Sequence, residues 1–204
     1  MELQEALLQI GEIRDKLART EIVAPTRSLT VGGVGVLACA GGLVQSIAIP
    51  QPSADVHAYL SLWIGVATLS AAIVAAELIV RCLRTESAIR RQATRQAVEQ
   101  FVPCLLAGGC LTLAIAKYAP AGAALLPGLW AIMFGLGMFA AWRQLPAATV
   151  LVAAWYLISG TVALATAQGD AAFSPWAMLG TFGCGHFLLA ATFYFSLERR
   201  HGTN

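Results

Sequence analysis

The sequence predicts an all-α, polytopic membrane protein: a bundle of six transmembrane helices preceded by an N-terminal amphipathic helix. Hydrophobic residues make up 58% of the 204 residues and charged residues only 12%, against about 25% charged in an ordinary soluble domain. The apolar residues gather in six stretches, each close to the roughly 20 residues that a helix needs to cross a bilayer. Because the backbone must satisfy its own hydrogen bonds in lipid, we expect these stretches to be helical.

The six predicted spans fill most of the chain and leave no room for a separate soluble domain. Short connections between most of them favour antiparallel neighbouring helices. We divide the chain into a cytoplasmic amphipathic helix (1–27), a transmembrane domain (28–197) and a cytoplasmic tail (198–204). The predicted spans are residues 29–49, 58–80, 101–118, 121–142, 146–167 and 176–197.

The basic residues predict the orientation of the bundle. Of the 13 Lys and Arg residues, all except Lys117 lie before span one, between spans two and three, between spans four and five, or after span six. The positive-inside rule makes that side cytoplasmic, so both termini are expected inside. The charged N-terminal segment lacks the continuous apolar core of a cleavable signal peptide, and span one is expected to act as an uncleaved anchor.

Residues 2–20 have the pattern of an amphipathic helix of about five turns. The apolar positions Leu3, Leu7, Ile10 and Leu17 recur at helical spacing, with Ile13 or Arg14 between them. Three placements stay open: on the inner membrane surface, beneath the bundle, or paired with another copy. The mixed charge of the segment argues against a dedicated anchor for anionic lipid, which would be more purely basic.

The connection between spans two and three, residues 81–100, is the one sizeable loop, and its composition favours a helix. Arg84, Arg91 and Arg95 fall on roughly one face and form a cytoplasmic basic patch. They are expected to meet lipid headgroups or, alternatively, an acidic partner. Nucleic acid is not expected as a partner, because no aromatic interleaving or recognition motif accompanies the charge.

His186 is the main candidate for an intramembrane polar site. It lies eleven residues into the last span, near the bilayer centre, where ionisable groups are rare and usually face the bundle interior or water. It could relay protons, contact a substrate, or act as a single axial ligand to a haem or chlorin. The alternative is a neutral histidine that bonds a neighbouring carbonyl or polar side chain.

Glu77 and Gln45 are the other candidates for such a site. Glu77, the only acid within a span, is expected to pair with Arg81 at position i+4 or to belong to a coupling-ion site. Gln45 lies one turn from the outer end of span one, where polar groups cost little. Six aromatic residues near the predicted interfaces are expected to be belt residues: Tyr59, Trp63, Tyr118, Trp142, Trp176 and Tyr194.

A weak internal similarity suggests an inverted repeat of three plus three spans. Residues 101–108 and 173–180 both read F-x-P-x4-G, and each is followed by a glycine–cysteine cluster. Such a repeat with broken helices is typical of transporters. The alternative is a chance match, because membrane helices are built from few residue types. The candidate helix-break positions are Gly108, Gly109, Gly183 and Gly185.

Several catalytic and metal-binding signatures are missing from the sequence. There is no HExxH, GxSxG or Walker A sequence and no Cys/His spacing of a metal site. The five cysteines lie within or at the ends of spans and are expected to be packing residues. We therefore expect no enzyme, no metal and no cofactor.

Four segments resemble a group of small bacterial six-span integral membrane proteins to which no activity is assigned. They are residues 6–20, 97–104 (AVEQFVPC), 126–140 (LPGLWAIMFGLGMFA) and 173–183 (FSPWAMLGTFG). The resemblance covers most of the chain and implies a multi-pass protein of the bacterial inner membrane. It implies no functional residue.

The function that we expect is that of a non-enzymatic membrane module: a scaffold, subunit or sensor-like partner of other membrane components. Small residues at every fourth position, such as Ala38, Gly42 and Ser46, favour close helix packing within the bundle or in a homo-oligomer. The expected partners are the lipid bilayer and either another copy or another membrane protein. The first alternative is a small permease with a midplane site near His186, between spans three and six; the second is a cofactor-holding subunit with His186 as axial ligand.

Overall fold

The computed structural model describes residues 27–84, 88–167 and 169–198, and within these ranges the chain folds into six main helices. Short 3-10 turns occupy Pro120–Leu125, Trp142–Gln144 and Gly169–Phe173. The predicted amphipathic helix and the predicted tail lie outside the described residues, apart from Arg27 and Glu198. The helices are α1 (Arg27–Ala48), α2 (Val56–Arg84), α3 (Ala88–Tyr118), α4 (Leu126–Ala140), α5 (Thr149–Ala165) and α6 (residues 175–198).

The prediction of an all-helical chain with several apolar helices of membrane-spanning length is confirmed for the described residues. Five stretches of the described chain are long and apolar enough to cross a bilayer: they belong to α1, α2, α3, α6, and α4 together with the 3-10 turn before it. The fifth helix in the chain, α5, is apolar but has 17 residues. It therefore rises about 25 Å, somewhat less than a hydrocarbon core of about 30 Å.

The predicted cytoplasmic loop does not form a separate element. In the structure α2 continues to Arg84 and α3 begins at Ala88, so the polar segment forms the end of one helix and the first turns of the next. The physical reason is the absence of a helix breaker, since no Gly or Pro occurs between residues 66 and 102.

The predicted helix break in α3 is not found. This helix runs without interruption through Pro103, Gly108 and Gly109. A glycine costs a helix about 1 kcal/mol, whereas a break in lipid would leave several backbone groups without partners. Pro103 lies inside α3 while Pro175 begins α6, so the two F-x-P motifs occupy unlike positions and do not support an inverted repeat.

The closest helix pair is formed by α4 and α5. A Cβ atom added to Gly128 would lie 2.7 Å from the carbonyl oxygen of Gly160, and one added to Gly160 would lie 2.9 Å from that of Gly128. Ala131 and Ala153 are fully buried along the same seam. The absence of side chains at the two glycines lets the backbones of the two helices touch.

Around this pair, α1 packs along α6, and α3 packs against α4. Helix α2 is attached at one end only, where Trp63 and Val66 contact Gly41 of α1. No residue of α2 between 64 and 83 is buried. Within the apolar stretch of α2, 6% is buried, against 44% in the stretch that contains α4. The second half of α2 therefore makes few contacts with the other described helices.

Candidate functional site

His186 lies inside the bundle, where α4, α5 and α6 meet. Its imidazole ring is buried and is surrounded by the rings of Phe134, Tyr156 and Phe182, whose centroids lie 5.3, 6.0 and 6.4 Å away. These neighbours differ from the prediction, which placed a site between spans three and six: the aromatic residues come from α4, α5 and α6 itself. Helix α3 supplies none of these ring contacts.

The helix that carries His186 contains a π-helical turn at Leu179–Gly183, directly before the α-helical segment Cys184–Phe193. In such a turn the ladder hydrogen bonds run from residue i to i−5, so carbonyl oxygens lose their usual partners. Two side chains bond carbonyls there: Trp155 Nε1 donates to Gly180 at 3.2 Å, and Nδ1 of His186 lies 2.8 Å from the carbonyl oxygen of Phe182. The predicted irregularity near Gly183 is thus a widened turn, and Gly185 lies in regular α-helix.

The same Nδ1 atom lies 2.9 Å from the hydroxyl of Tyr156, a fully buried residue of α5. Because a carbonyl oxygen can only accept, both contacts are attractive when Nδ1 carries the proton and shares it between the Phe182 carbonyl and the Tyr156 hydroxyl. The neutral ring then has its lone pair on Nε2, for which no hydrogen bond is found in the described part of the chain. His186 therefore links α5 to the π turn of α6.

Gln45 lies in a second polar cluster, at the end of the bundle where α2 is attached. Its side chain is fully buried and makes two hydrogen bonds: Nε2 donates to the carbonyl of Phe173 at 2.6 Å, and Oε1 accepts from Trp63 Nε1 at 2.8 Å. Gln45 therefore joins α1, α2 and the turn before α6. Tyr59 and Trp63 are buried here too, so the prediction of belt residues is wrong for both; they pack against Phe173 and its neighbours.

We expect Gln45→Leu to destabilise the protein by about 2 kcal/mol, because it leaves the Trp63 N–H and the Phe173 carbonyl unpaired in an apolar interior. Unfolding by denaturing detergent in mixed micelles measures this free energy. Tyr59→Phe is the matched control, since the Tyr59 hydroxyl is buried without a hydrogen-bond partner in the structure. Its removal breaks no hydrogen bond and should leave the stability unchanged or raise it, since an unpaired buried hydroxyl is itself unfavourable. Equal losses in the two variants would contradict this assignment.

Glu77 forms the predicted i+4 ion pair with Arg81. Both side chains are mostly shielded, and both belong to the half of α2 that lies away from Gln45. The partner of the Glu77 carboxylate in the structure is thus Arg81, as in the first of the two roles expected for it.

Of the basic patch, Arg95 is highly exposed and pairs with Glu99 at 2.6 Å. Arg91 lies on the same polar turns of α3, while the side chain of Arg84 is outside the described part. The patch therefore belongs to two helices rather than to one loop helix.

The structure does not bring the three predicted polar candidates together. Gln45 and Glu77 bond residues at opposite ends of α2, and His186 is held by α5 and α6. Tyr156, the partner of His186, was not predicted from the sequence. A tyrosine in the middle of a predicted span, away from both interfaces, was the available signal, since a buried hydroxyl usually finds a partner.

In the described part of the chain, no group of three or more His, Cys, Asp or Glu residues could hold a metal ion. Comparison of the whole chain with protein-family models, with curated proteins and with solved structures gave no match. The residues and their geometry are therefore the basis of any functional assignment.

Proposed function

We propose that the protein is a non-enzymatic integral membrane module that binds another transmembrane protein, or another copy of itself, through the membrane-embedded face of α2. The observation that carries this proposal is the exposure of that helix: of the 20 residues from 64 to 83, 13 are exposed, seven are half-buried and none is buried. All six helices cross the bacterial inner membrane in this proposal, with both termini in the cytoplasm and an amphipathic helix before α1.

The surface chemistry of α2 supports a helix partner rather than lipid alone. Lipid tails are as apolar as leucine, so helices associate in membranes mainly through close van der Waals packing of small residues. An exposed ridge of this kind runs along α2, and a Cβ atom added to Gly65 would meet nothing within 4 Å. The ridge consists of Ser61, Gly65, Thr68, Ala72 and Ala76.

The polar residues of the predicted spans support a module without chemistry of its own. His186 bonds a carbonyl of the π turn, Gln45 joins three segments, and Glu77 pairs with Arg81. Acid–base catalysis needs two or more poised groups within reach of one substrate, and these three residues lie apart.

A permease with a site at His186 is the second candidate. One observation favours it: π-helical turns occur frequently at functional sites, and this one directly precedes a histidine whose Nε2 atom has no hydrogen bond in the described chain. Transport would require water to reach the ring between Phe134, Tyr156 and Phe182. A His186→Cys variant that reacts with a membrane-impermeant thiol reagent would favour this candidate.

Photo-crosslinking in native membranes tests the leading proposal. A photoreactive amino acid replaces Gly65, Thr68 or Ala72 on the ridge of α2, and in matched controls it replaces Leu151 or Ile158, which are exposed on α5. We expect a discrete protein adduct from the α2 positions and lipid adducts alone from α5. Mass spectrometry of the adduct distinguishes a second copy from another protein. Lipid adducts alone from both helices would overturn the proposal.

A further inference from the structure

We propose that the end of α3 carries a binding site for one anionic glycerophospholipid. The lipid phosphate pairs with Lys117, and an acyl chain lies along the exposed face of the preceding turns. This site depends neither on the membrane orientation proposed above nor on the partner of α2.

A shallow, open cleft lies on the surface of α3 over its last turns. Its lining is mostly apolar, with one cationic group near one end. The lining residues are Cys110, Leu113, Ala114, Ala116, Lys117 and Tyr118. From Cys110 to Lys117 the helix rises about 10 Å, so the cleft extends from the charged end of α3 into its apolar part. A phospholipid has the same arrangement, with a charged group at one end and apolar chains below it.

The cleft faces away from the other described helices. On the opposite face of α3, Thr112 is buried, and its hydroxyl oxygen accepts a hydrogen bond from Nε1 of Trp130 in α4 at 2.8 Å. Leu113 and Tyr118, by contrast, are 73% and 77% exposed. Because α3 is long and apolar enough to cross a bilayer, we expect lipid to cover this face.

Lys117 forms no ion pair with a carboxylate in the described part of the chain. The acidic residues of the turns at this end of the bundle have other partners. Asp55 accepts the backbone N–H of Ala58 at 2.9 Å. Asp170 lies in a turn that contacts the one after α3, and it accepts a hydrogen bond from the hydroxyl of Ser53. The Lys117 ammonium is therefore available to an anion from the membrane, and basic side chains near a bilayer attract anionic lipid.

Tyr118 adds a second polar group to the same site. The Nζ atom of Lys117 lies 5.3 Å from the centre of the Tyr118 ring, within the range of a cation–π contact. The ammonium and the phenol are thus neighbours, and a phosphate can accept hydrogen bonds from both. A headgroup with one net negative charge balances Lys117, whereas a zwitterionic headgroup leaves a net positive charge. The charge therefore favours an anionic lipid.

Photolabelling of the full-length protein in nanodiscs tests the site. The discs consist of phosphatidylethanolamine with a small fraction of a probe lipid that carries a photoreactive diazirine in one acyl chain. The probe is phosphatidylglycerol in one set and phosphatidylethanolamine in the other. Mass spectrometry locates the label in residues 110–118 and, as an internal reference, at Ile158, which is exposed on α5.

Three variants separate the charge of Lys117 from other effects. Lys117→Gln removes the charge and Lys117→Arg keeps it. The matched control is Arg143→Gln, which removes a basic residue from the turn between α4 and α5. Both positions are exposed, so we expect all three variants to fold.

Relative to Ile158, we expect the phosphatidylglycerol probe to label residues 110–118 about five-fold more than the phosphatidylethanolamine probe, the effect of one basic residue near an anionic lipid surface. Lys117→Gln should abolish this preference, while Lys117→Arg and Arg143→Gln should retain it. Equal labelling by the two probes in the unaltered protein would overturn the proposal, because the cleft would then hold bulk lipid. A preference that survives Lys117→Gln would overturn it as well.

Discussion

Gly128→Ala is expected to destabilise the protein by about 3 kcal/mol, the cost of forcing extra atoms into a well-packed core. The added Cβ atom would lie 2.7 Å from the carbonyl oxygen of Gly160 and 2.7 Å from Cγ of Leu164. The side chain of Leu164 can rotate, but the carbonyl belongs to the backbone of α5. Helices α4 and α5 would have to separate along the seam that buries Ala131 and Ala153.

Gly160→Ala should have a similar effect for the same reason, since its Cβ atom would meet the carbonyl oxygen of Gly128 at 2.9 Å. The two substitutions together should cost less than the sum of the separate costs, because one separation of the helices relieves both overlaps. Unfolding by denaturing detergent in mixed micelles gives the three free energies.

The control for this pair is Gly109→Ala in α3, where an added Cβ atom would meet nothing within 4 Å. Alanine is a better helix former than glycine by about 1 kcal/mol, so this variant should be neutral or slightly more stable. If Gly128→Ala were tolerated as well as Gly109→Ala, the close approach of α4 and α5 would be wrong.

The contrast between these glycines shows what the sequence can and cannot specify in a membrane protein. A long apolar stretch in lipid has to be helical, so the positions of the helices follow from composition. Both faces of such a helix are apolar, however, because one contacts lipid and the other contacts protein. The sequence therefore does not show that Gly128 touches another backbone while Gly109 faces open space.

For the candidate site too, the sequence predicts which residue is buried but not which helices contact it. The depth of His186 in the last span marked it as a buried polar residue, and it is buried. Its partner Tyr156 could not be assigned, because pairing depends on how α5 and α6 are rotated relative to each other. The π turn was anticipated only as a break at glycines, since the sequence does not show that Trp155 and His186 bond the carbonyls of that turn.

Gly185→Ala is the second substitution with a large expected effect, and it reports on the contact between α5 and α6. Its Cβ atom would lie 2.6 Å from the hydroxyl oxygen of Tyr156 and would also overlap Cζ of that ring. Tyr156 is fully buried, so its ring has little room to move. We expect a loss of about 3 kcal/mol and the loss of the bond between Tyr156 and His186. Unfolding in mixed micelles measures the loss.

Gly180→Ala is the matched control for Gly185→Ala, because it lies on the same helix and an added Cβ atom meets nothing within 4 Å. The decisive variant is Gly185→Ala combined with Tyr156→Leu. If the overlap with the tyrosine ring causes the loss, the smaller leucine makes room for the new methyl group, and the double variant loses less than the sum of the two single losses. Additive losses would mean that Gly185 and Tyr156 do not touch, and the link between α5 and α6 at His186 would then have to be abandoned.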